Sequence, residues 1–270
     1  MEITSVRLIY FSPTHTTKKV LAAIANGIGC TTIHHTDLTT PKKRSTAERI
    51  LQEDLILLGL PVYEEYLPDI VKETLLQFQG YSQPVTLVSV YGNIGFGMSL
   101  KELTSLAQSM QLAPVAAATF IGEHSFSCQE IPLAVGRPDA EDLKQAETFG
   151  ADLTRKLAAL SSPAEIAPLN VPGTLPLMAR ILPKGSAALF THAPSVNAQC
   201  NQCGACAVMC PAGAIDPKTF AANPLACLRC FACVKHCPHS GRDMRFKKKF
   251  LVQTMFARKN AVRREPQLFL

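Results

Sequence analysis

The stretch CNQCGACAVMCP at residues 200–211 returns 27 positions later as CLRCFACVKHCP at residues 227–238. Each run reads C-x2-C-x2-C-x3-C-P, and together they take eight of the ten cysteines in a chain of 270 residues. A cubane [4Fe–4S] cluster needs four thiolates converging from different directions. Three closely spaced cysteines cup one side, and in two-cluster proteins the fourth cysteine of each run ligates the other cluster. The spacing therefore predicts Cys200, Cys203, Cys206 and Cys237 at one centre and Cys227, Cys230, Cys233 and Cys210 at the other. This crossing explains the duplication, because neither run is complete alone. A zinc ribbon uses two CxxC pairs and would leave the third cysteine and the Cys-Pro of each run unexplained. A disulfide framework would require an exported chain. Cys30 and Cys128 lie outside the spacing and read as ordinary thiols.

Outward from the runs, the charge divides the chain. Residues 1–160 hold 13 Lys/Arg against 17 Asp/Glu, and residues 161–270 hold 14 against 4. Opposite signs in the two parts suggest modules with different work. The N-terminal MEITSVRLIYF lacks a basic leader region and reads as a strand, not a signal peptide. The longest apolar runs, such as LAPVAAATFIG (112–122), fall short of the ~20 residues of a membrane helix. With cysteines in metal-ligand spacing, a reducing cytoplasm is the expected compartment.

The first 160 residues alternate strand and helix signals, which predicts βα units on a parallel sheet. Strands are expected at 3–11, 31–35, 54–62, 85–91 and 115–121. The run DLILLGLPV (54–62) is continuously apolar, as in a central parallel strand buried on both faces. Helical patterns fall at 16–28, from 68 onward, at 98–111 and from 138 to about 160, with Asp139 as N-cap and Asp142 three residues later. The fold class is α/β, a doubly wound parallel five-stranded sheet, followed by a small α+β cluster domain. Four parts are expected: 1–160, the sheet domain; 161–196, a connector; 197–240, the cluster domain; and 241–270, a basic tail. Prolines 163, 168, 172, 176, 183 and 194 make the connector extended, with one short turn at 177–182.

The turn after the first strand, FSPTHTTKKV (11–20), presents hydroxyls and helix N-terminal amides suited to a phosphate. Ser12, Thr14, His15, Thr16 and Thr17 are its candidate contacts. Ligands of open α/β sheets sit outside the strand C-termini at a topological switch point. There Pro61 and Tyr63, with Tyr91, Gly92 and Asn93, would flank a flavin ring. Tyr63 would stack on the ring, and Gly92 would permit close approach. Glu123 and His124 are candidates for moving a proton or for capping their loop. His34-His35 reads as a strand feature.

The segments YFSPTHTTKKV, GLPVYEEYLP, VYGN, the stretch from GEHSF to IPLAVGRPDAED, both cysteine runs and the terminal RREPQLFL carry a resemblance over essentially the whole chain. The chain resembles the bacterial EFR-family ferredoxins, in which a flavodoxin-like domain precedes a two-cluster ferredoxin. The resemblance implies FMN, two [4Fe–4S] clusters and electron transfer to or from a redox partner protein. Two positions depart from the pattern. His15 stands where the phosphate loop usually has glycine, which demands a left-handed backbone at a side chain that resists it. Glu64-Glu65 replace small residues beside the flavin, where carboxylates would disfavour an anionic reduced form.

The tail RFKKKFLVQTMFARKN is expected to form a helix with Phe246, Phe250 and Met255 toward one side. Its charge is open to several readings: offsetting the cluster charge, meeting an acidic partner, or lying on an anionic membrane. No RNA- or DNA-binding motif accompanies it, so no nucleic acid is expected. Three functions stand beside one another: an electron carrier linking FMN to the clusters, an FMN-dependent reductase of a small substrate, and an iron–sulfur module with a decayed flavin site.

Overall fold

Two apolar runs, LILLGLP and PVTLVSVY, are buried at every residue and become the central strands of the sheet. A computed structural model describes residues 1–181 and 184–270. Leu182 and Pro183, which the sequence places in the connector, lie outside the described residues.

The front region runs β1 (Ser5–Tyr10), α1 (Thr16–Ile28), β2 (Thr32–Asp37), α2 (Pro41–Thr46), β3 (Leu55–Pro61), α3 (Asp69–Leu75), β4 (Pro84–Tyr91), α4 (Ser99–Ser109), β5 (Ala113–Ile121) and α5 (Ala140–Ala158). Behind it come α6 (Leu177–Ile181), α7 (Ala187–Phe190), β6 (Ser195–Val196), α8 (Ala205–Met209), α9 (Ala232–Lys235), β7 (Arg242–Asp243), α10 (Lys249–Asn260) and β8 (Gln267–Phe269).

Strands β2-β1-β3-β4-β5 are parallel in that order, and β8 closes the far edge antiparallel to β5. This is the flavodoxin-like doubly wound order, with its switch point between β1 and β3. Helices α1 and α5 cover one face through Leu21, Ile24, Phe149 and Leu153. The other face is covered by α3 and α4 through Val71, Leu75, Leu100 and Leu103. Because both faces are covered, central strands carry no polar alternation. β2, at the edge, exposes its first four residues, His34 and His35 among them. The expected Asp139–Asp142 capping box starts α5, with both reciprocal bonds present.

Three expectations are corrected. The sheet has six strands, because the C-terminal QLF adds an edge strand that pairs Ala117–Thr119. The tail is therefore built into the sheet domain, which also leaves β5 without a free edge. Its helix buries Val252 and Phe256, while Phe250 is exposed and Phe246 precedes the helix to bridge Thr191. The connector carries the expected short turn near 177–182, as α6, but it is also interrupted where none was expected, by a 3-10 turn at Pro163–Glu165 and by α7. Proline is tolerated at the first position of such turns, where its missing N–H is not needed.

Candidate functional site

A cavity of about 450 Å³ opens at the C-terminal ends of β1, β3 and β4. That is within the size range of cofactor pockets. Its floor comes from the sheet domain: Thr14, Thr16, Pro61, Tyr63, Tyr91 and Gly92. Its roof comes from behind: Cys227, Leu228 and Arg229 of the second cysteine run, Ala187 and Phe190 of α7, and Phe256 of α10. Six of the ten candidate flavin contacts thus share one chamber.

The other four are employed elsewhere. Ser12 is buried, and its Oγ accepts the Lys18 amide at 3.1 Å. Thr17 is fully buried, and its Oγ1 has no partner. Asn93 turns away from the chamber and donates from Nδ2 to the carbonyls of Lys259 (2.9 Å) and Val262 (3.1 Å), fastening the end of α10. His15 takes the left-handed conformation anticipated for it, φ 64°. Its ring lies 4.8 Å from that of His236 in the cluster region. Gly92 also has another use: a Cβ there would collide with the His124 ring.

The loop still fits a phosphate. Among the described residues the amides of Thr14, Thr16 and Thr17 have no backbone acceptor. Three free donors at the start of a 13-residue helix are what an anionic group requires. Tyr63 lines the same chamber. Burial pushes its phenol well above the ordinary range, with the Cys230 thiol adding to the shift.

Glu64 and Glu65 occupy successive left-handed positions, φ 55° and 70°, in a tight turn closed by Tyr63 and Tyr66. Such conformations are strained for side chains other than glycine, so the surroundings must hold them. Glu64 accepts the amides of Gly185 (2.6 Å) and Ala187 (2.5 Å), pinning the start of α7 over the chamber. The Glu65 carbonyl accepts the Met98 amide at 2.8 Å. Burial raises the Glu65 carboxyl, against the opposing charges of Arg264 and Lys259. Glu123 is engaged by Lys235 Nζ of α9 at 2.6 Å. His124 Nδ1 accepts the Phe126 amide, and burial drives its pKa down to about 3, assisted by Lys235. A neutral imidazole so held caps its loop.

Four of the eight cysteines of the two runs come together at one place. Cys210, Cys227, Cys230 and Cys233 line one small closed cavity together. Cys200 and Cys237 meet at Gly241, whose amide donates to Cys237 Sγ at 3.1 Å and whose Cα leaves no room for a side chain beside Cys200. The next residue, Arg242, donates to Cys206 Sγ at 3.3 Å. Cys203 is exposed at the surface. No three His, Cys, Asp or Glu side chains among the described residues are placed to hold a single metal ion. A cubane differs in taking one thiolate at each iron.

Residues 195–238 match the family model of the 4Fe-4S dicluster domain. Behind the flavodoxin-like sheet, then, stands a ferredoxin region that holds [4Fe–4S] clusters, and the fusion serves redox electron transfer. A comparison with curated proteins returns no match. Among solved structures the chain is similar to a flavodoxin from the domain Archaea, with 16% identity over 57% of this chain and 99% of that one and a TM-score of 0.38. A flavodoxin from Streptococcus pneumonia TIGR4 shares 14% over 56% and 99%, TM-score 0.38. An NADH:FMN oxidoreductase shares 16% over 60% and 94%, TM-score 0.43. Among the described residues no helix is long and apolar enough to cross a membrane.

Sequence reasoning missed the roof. Phe126, Phe231 and Phe256 form an aromatic cluster joining the 122–133 loop, the second cysteine run and α10. Its members are 130 residues apart in the chain, and no local period links them. Arg229 and Arg242 were also missed. The available signal for Arg229 was a basic residue inside a cysteine run that carries no acid.

Proposed function

We propose that the protein passes electrons between an FMN held in the 450 Å³ chamber and two [4Fe–4S] clusters, and on to or from a redox partner. One observation carries this reading. The loop bearing Cys227 and Cys230 is part of the wall of the same chamber that Thr14, Thr16 and Tyr63 line. FMN bound there supplies a centre that takes two electrons singly. The free amides of Thr14, Thr16 and Thr17 hold its phosphate, Tyr63 and Gly92 bound its ring, and the aromatic roof excludes water. Cys210, Cys227, Cys230 and Cys233 hold the nearer cluster; Cys200, Cys203, Cys206 and Cys237 hold the outer one. The exposure of Cys203 supports the outer cluster as the port for the partner. We place the chain with the EFR-family ferredoxins on this basis, with residues 1–160, 161–196, 197–240 and 241–270 as its parts and the cytoplasm as its compartment.

Anaerobic photoreduction of the flavin followed by stopped-flow absorbance tests the relay. Cluster bleaching is expected at a rate independent of protein concentration, because both centres border one chamber. In Cys210→Ala the fast phase disappears. A rate that scales with concentration, or a wild type that takes up no flavin, refutes the proposal. The size of the chamber, about 450 Å³, also favours the second reading, an FMN-dependent reductase of a small substrate. That reading requires space beside the bound ring, and soaked small acceptors would then oxidise the reduced protein saturably.

A further inference from the structure

The acids behind the sheet domain are few, and all are engaged. Glu165 accepts the Ser161 amide, and Asp216 accepts those of Lys218 and Thr219. Asp243 and Glu265 pair with Arg245 and Arg263. Between them, residues 244–264 hold eight Lys/Arg and no acid. Glu130 of the sheet domain meets Lys249 at 2.5 Å. Lys248, Arg258 and Lys259, at the two ends of α10, stand exposed with no carboxylate partner among the described residues. This surface therefore suits an anion, and charge alone does not say which.

The apolar side chains narrow the choice. A helix that lies on a core and faces water shows one apolar stripe. In α10 that stripe is Val252 and Phe256, packed inward on the aromatic cluster. Phe250, nearly opposite Val252 around the helix, is 83% exposed. Leu251 and Met255, four residues apart on one flank, are exposed as well. Leu189 of α7 is a fourth, and it sits beside the start of α10, because Lys247 donates to the carbonyls of Phe190 and Ala188, both at 2.8 Å. Met255 also lines the chamber, so the rim of its opening belongs to this surface. Single exposed apolar residues need no explanation, but four on two adjoining helices among unpaired cations do. An anionic bilayer meets both demands: apolar side chains enter the headgroup boundary while Lys and Arg reach back to the lipid charge. An acidic protein surface matches the charge and leaves Phe250 without an apolar counterpart. We propose that α10, with Leu189 beside it, seats the protein on an anionic lipid surface, the chamber rim turned toward it. The contact is peripheral and rests on neither cofactor.

Flotation of the full-length, anaerobically reconstituted protein with lipid vesicles tests it. The protein is expected to float with vesicles of phosphatidylcholine and phosphatidylglycerol in equal parts. Binding should fall at least tenfold on phosphatidylcholine alone and weaken as salt rises. Phe250→Ser with Leu251→Ser should lower partitioning at least tenfold, and Lys248→Gln with Arg258→Gln should remove the preference for anionic lipid. The chain has no tryptophan, so Phe250→Trp supplies a single reporter whose emission shifts to the blue when anionic vesicles are added. No flotation with those vesicles, flotation indifferent to the serine pair, or an unmoved emission in Phe250→Trp would overturn the proposal. Retention on immobilised poly-glutamate without flotation assigns the surface to an acidic protein, which overturns it equally. Should the serine pair fail to retain iron, the Phe250→Trp emission decides: a blue shift sustains the proposal, and its absence rejects it.

Discussion

At Thr14, Thr16 and Thr17 three hydroxyls that look alike in the sequence have different fates. Thr14 and Thr16 face the chamber, whereas Thr17 sits on the buried side of α1 with an unpartnered Oγ1. Thr14→Val with Thr16→Val removes two donors to a charged acceptor, at about 1.5–3 kcal/mol each. FMN affinity, read by flavin fluorescence quenching, is expected to fall at least tenfold. Thr17→Val instead trades an unsatisfied hydroxyl for a methyl of like shape and leaves the affinity unchanged. His124 gives a pH dependence. Burial lowers its pKa to about 3 in the folded protein, while an unfolded histidine titrates near ~6.5. The unfolded chain therefore takes the proton first as pH falls. This contribution to stability is fully present above ~6.5 and is lost progressively between there and about 3. Thermal unfolding from pH 7 to pH 5 should drop more steeply in the wild type than in His124→Gln, and parallel curves would contradict it. The hydroxyl-rich turn was legible in the sequence. Which hydroxyls faced the ligand was not, because one helical residue of rotation separates Thr16 from Thr17.

The helices α1 and α5 show how an element's neighbour sets its composition. Their crossing is close at Gly27 and Gly150: a Cβ on Gly150 would land on the Ile24 carbonyl, and one on Gly27 on the Glu147 carbonyl. Glycine is otherwise unfavourable inside a helix. Gly150→Ala should therefore destabilise the sheet domain by about 1–3 kcal/mol through overpacking, despite the better helix former it introduces. Urea unfolding followed by far-UV circular dichroism measures this, and a gain in stability would mean the helices part easily. The apolar runs of β3 and β4 were plain in the sequence because burial on both faces leaves no polar alternation. β8 was not, since QLF is three residues long and pairs with a strand about 150 residues away. A register set so far off leaves no local mark.

For the whole molecule, the contacts between the two redox regions fix one arrangement. Lys235 reaches Glu123, and Arg44 donates to the Pro211 carbonyl at 2.9 Å. At the centre Phe126 touches Phe231, Phe246 and Phe256. Phe126→Ala is expected to cost about 3–5 kcal/mol and to loosen the roof. The flavin-to-cluster phase in photoreduction should slow or become concentration-dependent while iron content stays native. An unchanged phase would show that the docking does not depend on this contact. By itself the sequence determined the cluster chemistry and the parallel sheet. Cysteine spacing is a local constraint that eight positions repeat, and apolar runs report burial directly. Only the tertiary structure decided that a tail of net positive charge would become an edge strand and a roof helix, that Asn93 would hold that roof, and that Arg242 would be buried against the Cys206 sulfur. Each of these depends on segments far apart in the chain meeting in space, and such a meeting follows from the summed packing of the whole molecule, which no single stretch encodes.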